Sequence, residues 1–174
     1  MLSMTKDASY WIQKLSLIPL PEEGGMYKET FRSNITIPEA GLPPGYNGSR
    51  VAITDIYYLL QGKTFSAFHR LRSDELWHFH TGTTLLVHII YDNSHYECVH
   101  LGRSDNPKSV LRVTLPRGSW FAAEMKDKDD SCYALLSCVV APGFELSDFE
   151  IGKREKLINQ FPEYKEVITR LTHR

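Results

Sequence analysis

The chain has 174 residues, 20 of them basic and 21 acidic, for a formal net charge of −1; 42% are hydrophobic and 24% charged. That suits one globular domain, 1–174, with a proper core, and offers no basic face for nucleic acid. No run reaches membrane-span length, MLSMTKDASYWIQK has no apolar signal core, and three scattered cysteines (Cys98, Cys132, Cys138) form no framework, so a soluble, cytoplasmic protein is expected.

In chain order, Asp7 is placed to cap a short helix over 8–17, with Trp11, Leu15 and Ile18 on one face. Pro19 and Pro21 stop it and Gly24-Gly25 marks a loop. Nine strand-like runs follow, over 27–34, 51–60, 64–70, 76–80, 84–91, 96–101, 110–115, 120–125 and 132–140. Each is short, rich in β-branched or aromatic residues, and bounded by turn residues. With no helical pattern between them, they indicate an all-β sandwich or barrel occupying about 26–150. Residues 38–49 carry too many turn formers to be a strand. After Pro142-Gly143 the pattern becomes helical over 151–161 and 162–171; Pro162 opens the second helix, and Tyr164, Val167, Ile168 and Leu171 stripe it. Both helices are expected on the outside of the barrel.

The residues with the most chemistry lie between Gly62 and Gly82, where His69 and Glu75 sit on adjacent runs. Strand alternation that turns His69 inward also turns Ala67 and Leu71 inward, and sends Phe68 and Arg70 out. An inward Glu75 brings Trp77 and Phe79 with it and leaves His78 and His80 on the opposite face. Phe121 would be interior with Ser119 and Ala123. A catalytic divalent metal usually needs three protein ligands. One His and one Glu fall short, and His78 or His80 could be recruited only through a bulged strand. No metal and no other cofactor is therefore expected. Without metal, a carboxylate that orients the His69 ring leaves its other nitrogen to take a proton. The alternative is a buried pair retained because removing one partner strands the other. Tyr57, Tyr58 and Tyr133 are candidate proton donors or ligand contacts, and Trp77 could stack on a ligand.

Gly62, His69, Glu75 and Gly82, followed by Pro116-Arg117-Gly118, resemble the paired motifs of the cupin superfamily. In those motifs two His and a Glu, then a third His, hold a metal; Leu71 and Phe121 stand at the second and third His positions here. Nearly the whole chain resembles one branch of that superfamily, catalogued as a domain of unknown function. The matching segments are PEEGGMYKETFRS (21–33), SAFHR (66–70), SDELWH (73–78), PRGSW (116–120), VAPGF (140–144) and DFE (148–150). The resemblance implies a double-stranded β-helix, the jelly-roll barrel, usually a homodimer formed by sheet extension. It also implies a pocket similar to that of deoxy-sugar nucleotide epimerases, which use a His base and a Tyr acid without metal. Carried over by motif, His69 is the candidate base, and Tyr133, outside the matching segments, is a candidate acid. Beside the resemblance, the residues themselves offer Glu75 as the partner of His69, and Trp77, Ser119, Phe121 and Tyr57 as contacts for a small polar or sugar-like ligand. Cupins include enzymes, sensors and storage proteins, so three functions stand open: a metal-free ligand-binding protein with isomerase or epimerase chemistry, a metalloenzyme with a non-standard ligand set, and a non-catalytic sensor or structural dimer.

Overall fold

The computed structural model describes residues 6–103 and 106–174. Helix α1 spans Ala8–Leu15, and the Asp7 carboxylate caps it by accepting the Tyr10 N–H at 2.8 Å. The strands are β1 (Ile18–Pro19), β2 (Met26–Arg32), β3 (Thr36–Ile37), β4 (Arg50–Val51), β5 (Thr54–Gln61), β6 (Phe65–Leu71) and β7 (Asp74–Gly82). They continue with β8 (Leu85–Ile90), β9 (Tyr96–Leu101), β10 (Arg112–Leu115), β11 (Trp120–Met125), β12 (Tyr133–Ala141) and β13 (Phe149–Ile151). Helices α2 (Arg154–Gln160) and α3 (Lys165–Arg170) close the chain. Every expected run is a strand, although the run over 51–60 divides into β4 and β5. The pairs β1 and β3, and the three-residue β13, are too short to leave a periodic signal.

Two antiparallel sheets face each other, with strand orders β1-β2-β5-β12-β7-β10 and β13-β6-β11-β8-β9; a separate β3–β4 ladder stands apart. This is the all-β jelly roll anticipated from the sequence. Alternation puts Tyr58, Leu71, Trp77, Phe79, Phe121, Ala123 and Leu136 into the core between the sheets. The outer face of the five-stranded sheet is covered by α2 and α3, whose Leu157 and Ile168, with Phe161 in the link between them, pack on Phe68, Ile90 and Trp120. Each such buried side chain contributes about 1.5–3 kcal/mol of transfer free energy. Part of the other sheet's outer face is covered by α1, with Trp11 and Leu15 against Leu59 and Leu135. Ile18, expected on that apolar face, is instead 54% exposed, because the helix ends at Ser16 in a left-handed turn and the chain enters β1.

The 38–49 loop is ordered by polar contacts at one end of the barrel. Arg50 donates to both Asp148 oxygens, at 2.6 and 2.8 Å, and to the carbonyls of Asn47, Gly48 and Ser49. The Tyr46 hydroxyl donates to the Arg72 carbonyl at 2.6 Å. This fork fixes the loop over the β6–β7 turn, between His69 and Glu75.

Candidate functional site

A bulge in β6 builds the centre of the site. Phe121 pairs with His69 but Ala123 pairs with Ser66, so Ala122 alone faces both Ala67 and Phe68. The extra residue changes the face of everything before it. Ser66, rather than Ala67, therefore shares the inner side with His69. Simple alternation could not anticipate this. The bulged Ala67 carbonyl accepts from His69 Nδ1 at 2.7 Å. A carbonyl can only accept, so Nδ1 carries the proton, and in the neutral ring Nε2 holds the lone pair.

The group that meets Nε2 is Glu23, not Glu75. Glu23 Oε2 lies 3.8 Å from His69 Nε2, and its other oxygen accepts the Ser66 hydroxyl at 2.9 Å. The PEEGG turn puts it there. Ala67 N–H donates to the Glu23 carbonyl at 2.8 Å, and the Tyr58 hydroxyl to the Gly24 carbonyl at 2.9 Å. Gly24 and Gly25 have φ of 100° and 78°, and a Cβ on Gly24 would stand 2.4 Å from the Phe65 carbonyl oxygen. Only glycine fits this approach. The sequence signal was present in two acids ahead of a Gly-Gly turn; its spatial partner was not legible without the bulge.

Glu75 and His69 are both buried, at 6% and 2% exposed, but no hydrogen bond or ion pair joins them among the described residues. The expected direct pair is thus replaced by His69–Glu23, with Glu75 alongside. Burial, and then the charge of Glu23, push the Glu75 carboxyl from 4.5 up to about 8, with the Trp77 indole and Cys138 thiol acting in the opposite direction. Neither Glu75 Oε2 nor Trp77 Nε1 has a hydrogen-bond partner among the described residues. Burial pushes the Cys138 thiol well above its ordinary value, and Glu75 and Glu23 add to this. The Tyr58 hydroxyl is raised well above 10 by burial first, then by Glu23. Aromatic rings complete the lining. Trp77 lies 5.9 Å from Tyr58 and edge-on to Phe121 at 6.0 Å, and the His69 ring meets Phe121 at 4.2 Å.

Other expected residues lie elsewhere. Tyr133 is on the outer face, where its hydroxyl donates to the Lys6 carbonyl at 2.7 Å and accepts from the Trp11 indole at 3.2 Å; it fastens α1 and does not meet His69. Tyr57 also points outward, edge-on to His80 at 5.9 Å, because the inward tyrosine of β5 is its neighbour Tyr58. Ser119 is buried but lines a shallow cleft of about 500 Å³ with Tyr91, Asp92 and Arg117, outside the barrel. A second cleft, of about 510 Å³, lies between Arg70, Trp120 and α2, also outside.

The donor set fits a cupin metal poorly. Leu71 and Phe121 are packed hydrocarbon in the core. β7 is indeed bulged at His80, since Leu135 faces Thr81 and Leu136 faces Phe79, yet His80 stays exposed and bonds Ser137 at 3.0 Å on the outer face. Among the described residues no three His, Cys, Asp or Glu side chains are grouped to hold an ion. No helix among them is long and apolar enough to cross a membrane.

Two facing antiparallel sheets with a His and carboxyls buried between them define a cupin barrel. The chain belongs to the cupin superfamily, in the family described as Cupin superfamily (DUF985), whose model matches residues 9–152. It is similar to a hypothetical protein from Leishmania major, at 33% identity and TM-score 0.84, over 97% of this chain and 99% of that one. It is also similar to a Shewanella oneidensis protein, at 30% identity and TM-score 0.81, over 96% and 98%. Oxalate decarboxylase from Bacillus subtilis aligns at 14% identity and TM-score 0.52, over 90% of this chain and 37% of that one, a likeness of fold alone. No curated protein matches the chain.

Proposed function

We propose that this cupin binds a small polar ligand inside the barrel, without a metal, at Glu23, His69 and Glu75, and moves a proton on it. One observation carries the reading: among the described residues Glu75 Oε2 and Trp77 Nε1 are buried polar atoms with no hydrogen-bond partner, beside a His whose Nδ1–H is already engaged. A buried polar atom without a partner costs free energy that a ligand's hydrogen bonds would recover. His69 Nε2 is the acceptor for a ligand proton, assisted by the Glu23 carboxylate. The Glu75 carboxyl, held protonated at neutral pH by burial and Glu23, is the donor. An acid and a base poised together suit isomerisation or epimerisation by proton removal and return. The close packing of Tyr58, Trp77 and Phe121 favours a ligand of few heavy atoms, sugar-like at most.

A thermal-shift screen of small polyols, sugars and hydroxy compounds tests this on the wild type, His69→Ala and Glu75→Gln. Ligands that stabilise the wild type and lose that effect in both variants are expected. Stabilisation that persists unchanged in both would move the site elsewhere. No binding by any compound would favour a structural role.

A further inference from the structure

Charge narrows the ligand class. Glu23 and Glu75 both reach the interior, and Glu23 lies close enough to raise the Glu75 carboxyl. Among the described residues no lysine or arginine pairs with either carboxyl. Three arginines near the β6–β7 turn are committed to other partners. Arg50 is locked to Asp148, Arg70 pairs with Glu150 at 2.7 Å and lies 4.6 Å over Trp120, and Arg72 donates to the Gly45 carbonyl. The interior therefore offers a phosphate or a free carboxylate no fixed cation. It offers instead the Glu23 carboxylate beside a buried Glu75 carboxyl whose Oε2 has no hydrogen-bond partner among the described residues, and the Trp77 ring, tilted against Tyr58 and edge-on to Phe121. An aromatic lining and a carboxylate together are the chemistry that holds an ammonium group.

Resting on the binding site argued above, we propose that its ligand is a small organic cation, an amine bearing a hydroxyl or similar polar group, and that anionic sugar nucleotides are excluded. The ammonium would pair with the Glu23 carboxylate, with the protonated Glu75 carboxyl and the aromatic lining beside it. Its polar group would reach His69 Nε2 or the Trp77 indole N–H.

Three compounds of nearly one shape separate charge from shape: ethanolammonium, ethylene glycol and glycolate. NMR titration of the Trp77 indole N–H resonance, at constant ionic strength, reports their entry. Ethanolammonium is expected to shift it with a Kd at least roughly tenfold below that of ethylene glycol, because a desolvated ion pair adds to the shared contacts. Glycolate and magnesium chloride should leave it in place. Glu23→Gln should remove most of the preference for ethanolammonium over ethylene glycol. Glycolate binding as well as ethanolammonium, a response to magnesium alone, or a cation preference unchanged in Glu23→Gln would overturn the charge selection. A response to ethylene glycol or glycolate without one to ethanolammonium would leave the binding site standing and remove its charge preference. Silence from all three would remove both.

Discussion

Replacing Glu75 by Gln should stabilise the protein at neutral pH, which is unusual for a change to a buried polar residue. The carboxyl titrates at about 8 in the folded chain against 4.5 ordinarily. Between those values the folded state keeps a proton that the unfolded state has released. Its contribution is fully present below pH 4.5 and is lost as pH rises through 8, so stability falls with pH across that window. At about 1.4 kcal/mol per pH unit, the whole window is worth on the order of 5 kcal/mol, and about 3 kcal/mol has gone by pH 7. Glutamine has the same shape and nothing to ionise, so it escapes that loss. Its extra N–H donor, unmatched at a site where Oε2 already lacks a partner, takes back about 1–2 kcal/mol. A net gain of roughly 1–2 kcal/mol at pH 7 follows, rising toward pH 8, vanishing near pH 6 and reversing by about pH 5. Urea unfolding of both proteins at pH 5, 6, 7 and 8 measures it. Parallel stability profiles across that range would refute the reasoning.

Gly24→Ala should cost about 2 kcal/mol or more, since its Cβ meets the Phe65 carbonyl at 2.4 Å with φ at 100°. Denaturant midpoints check this, and the same variant should weaken ligand-induced thermal shifts by displacing Glu23. On the outer face of the five-stranded sheet, burial alone would raise Glu124, but the His88 ring nitrogen 3.4 Å away and the pairings with Lys128 and Arg170 outweigh it and hold the carboxyl at about 2. That pairing stabilises above pH 4.5 and is lost as pH falls toward 2, so Arg170→Ala should destabilise clearly at pH 7 and little near pH 2.5. Chemical denaturation at the two pH values separates them. Tyr133→Phe should cost about 1 kcal/mol by releasing two hydrogen bonds that hold α1, and should leave ligand binding unchanged in the same thermal-shift screen.

The barrel was legible because its code is local. Period-two alternation and turn residues placed every long strand, and the inward facing of Leu71, Trp77, Phe79 and Phe121 follows from it. The partner of His69 was not legible. Two features decide it: a single-residue bulge that rotates Ser66 to the inner face, and a turn far away in sequence whose glycines permit contact with Tyr58 and Phe65. Neither leaves a periodic signature. For Tyr57 against Tyr58, adjacent tyrosines on one strand give no cue to which faces in; the β5–β12 register decides it by pairing Tyr58 with core Leu136. Tyr133 faces outward with Leu135 for the same reason.

The most direct measurement is the titration of the Glu75 side-chain carboxyl by ¹³C NMR, assigned through Glu75→Gln. A midpoint near 8, moved downward by Glu23→Gln as the neighbouring charge is removed, is the expected result. A midpoint near 4.5, indifferent to Glu23, would mean a carboxyl in contact with water and no closed polar site in this barrel.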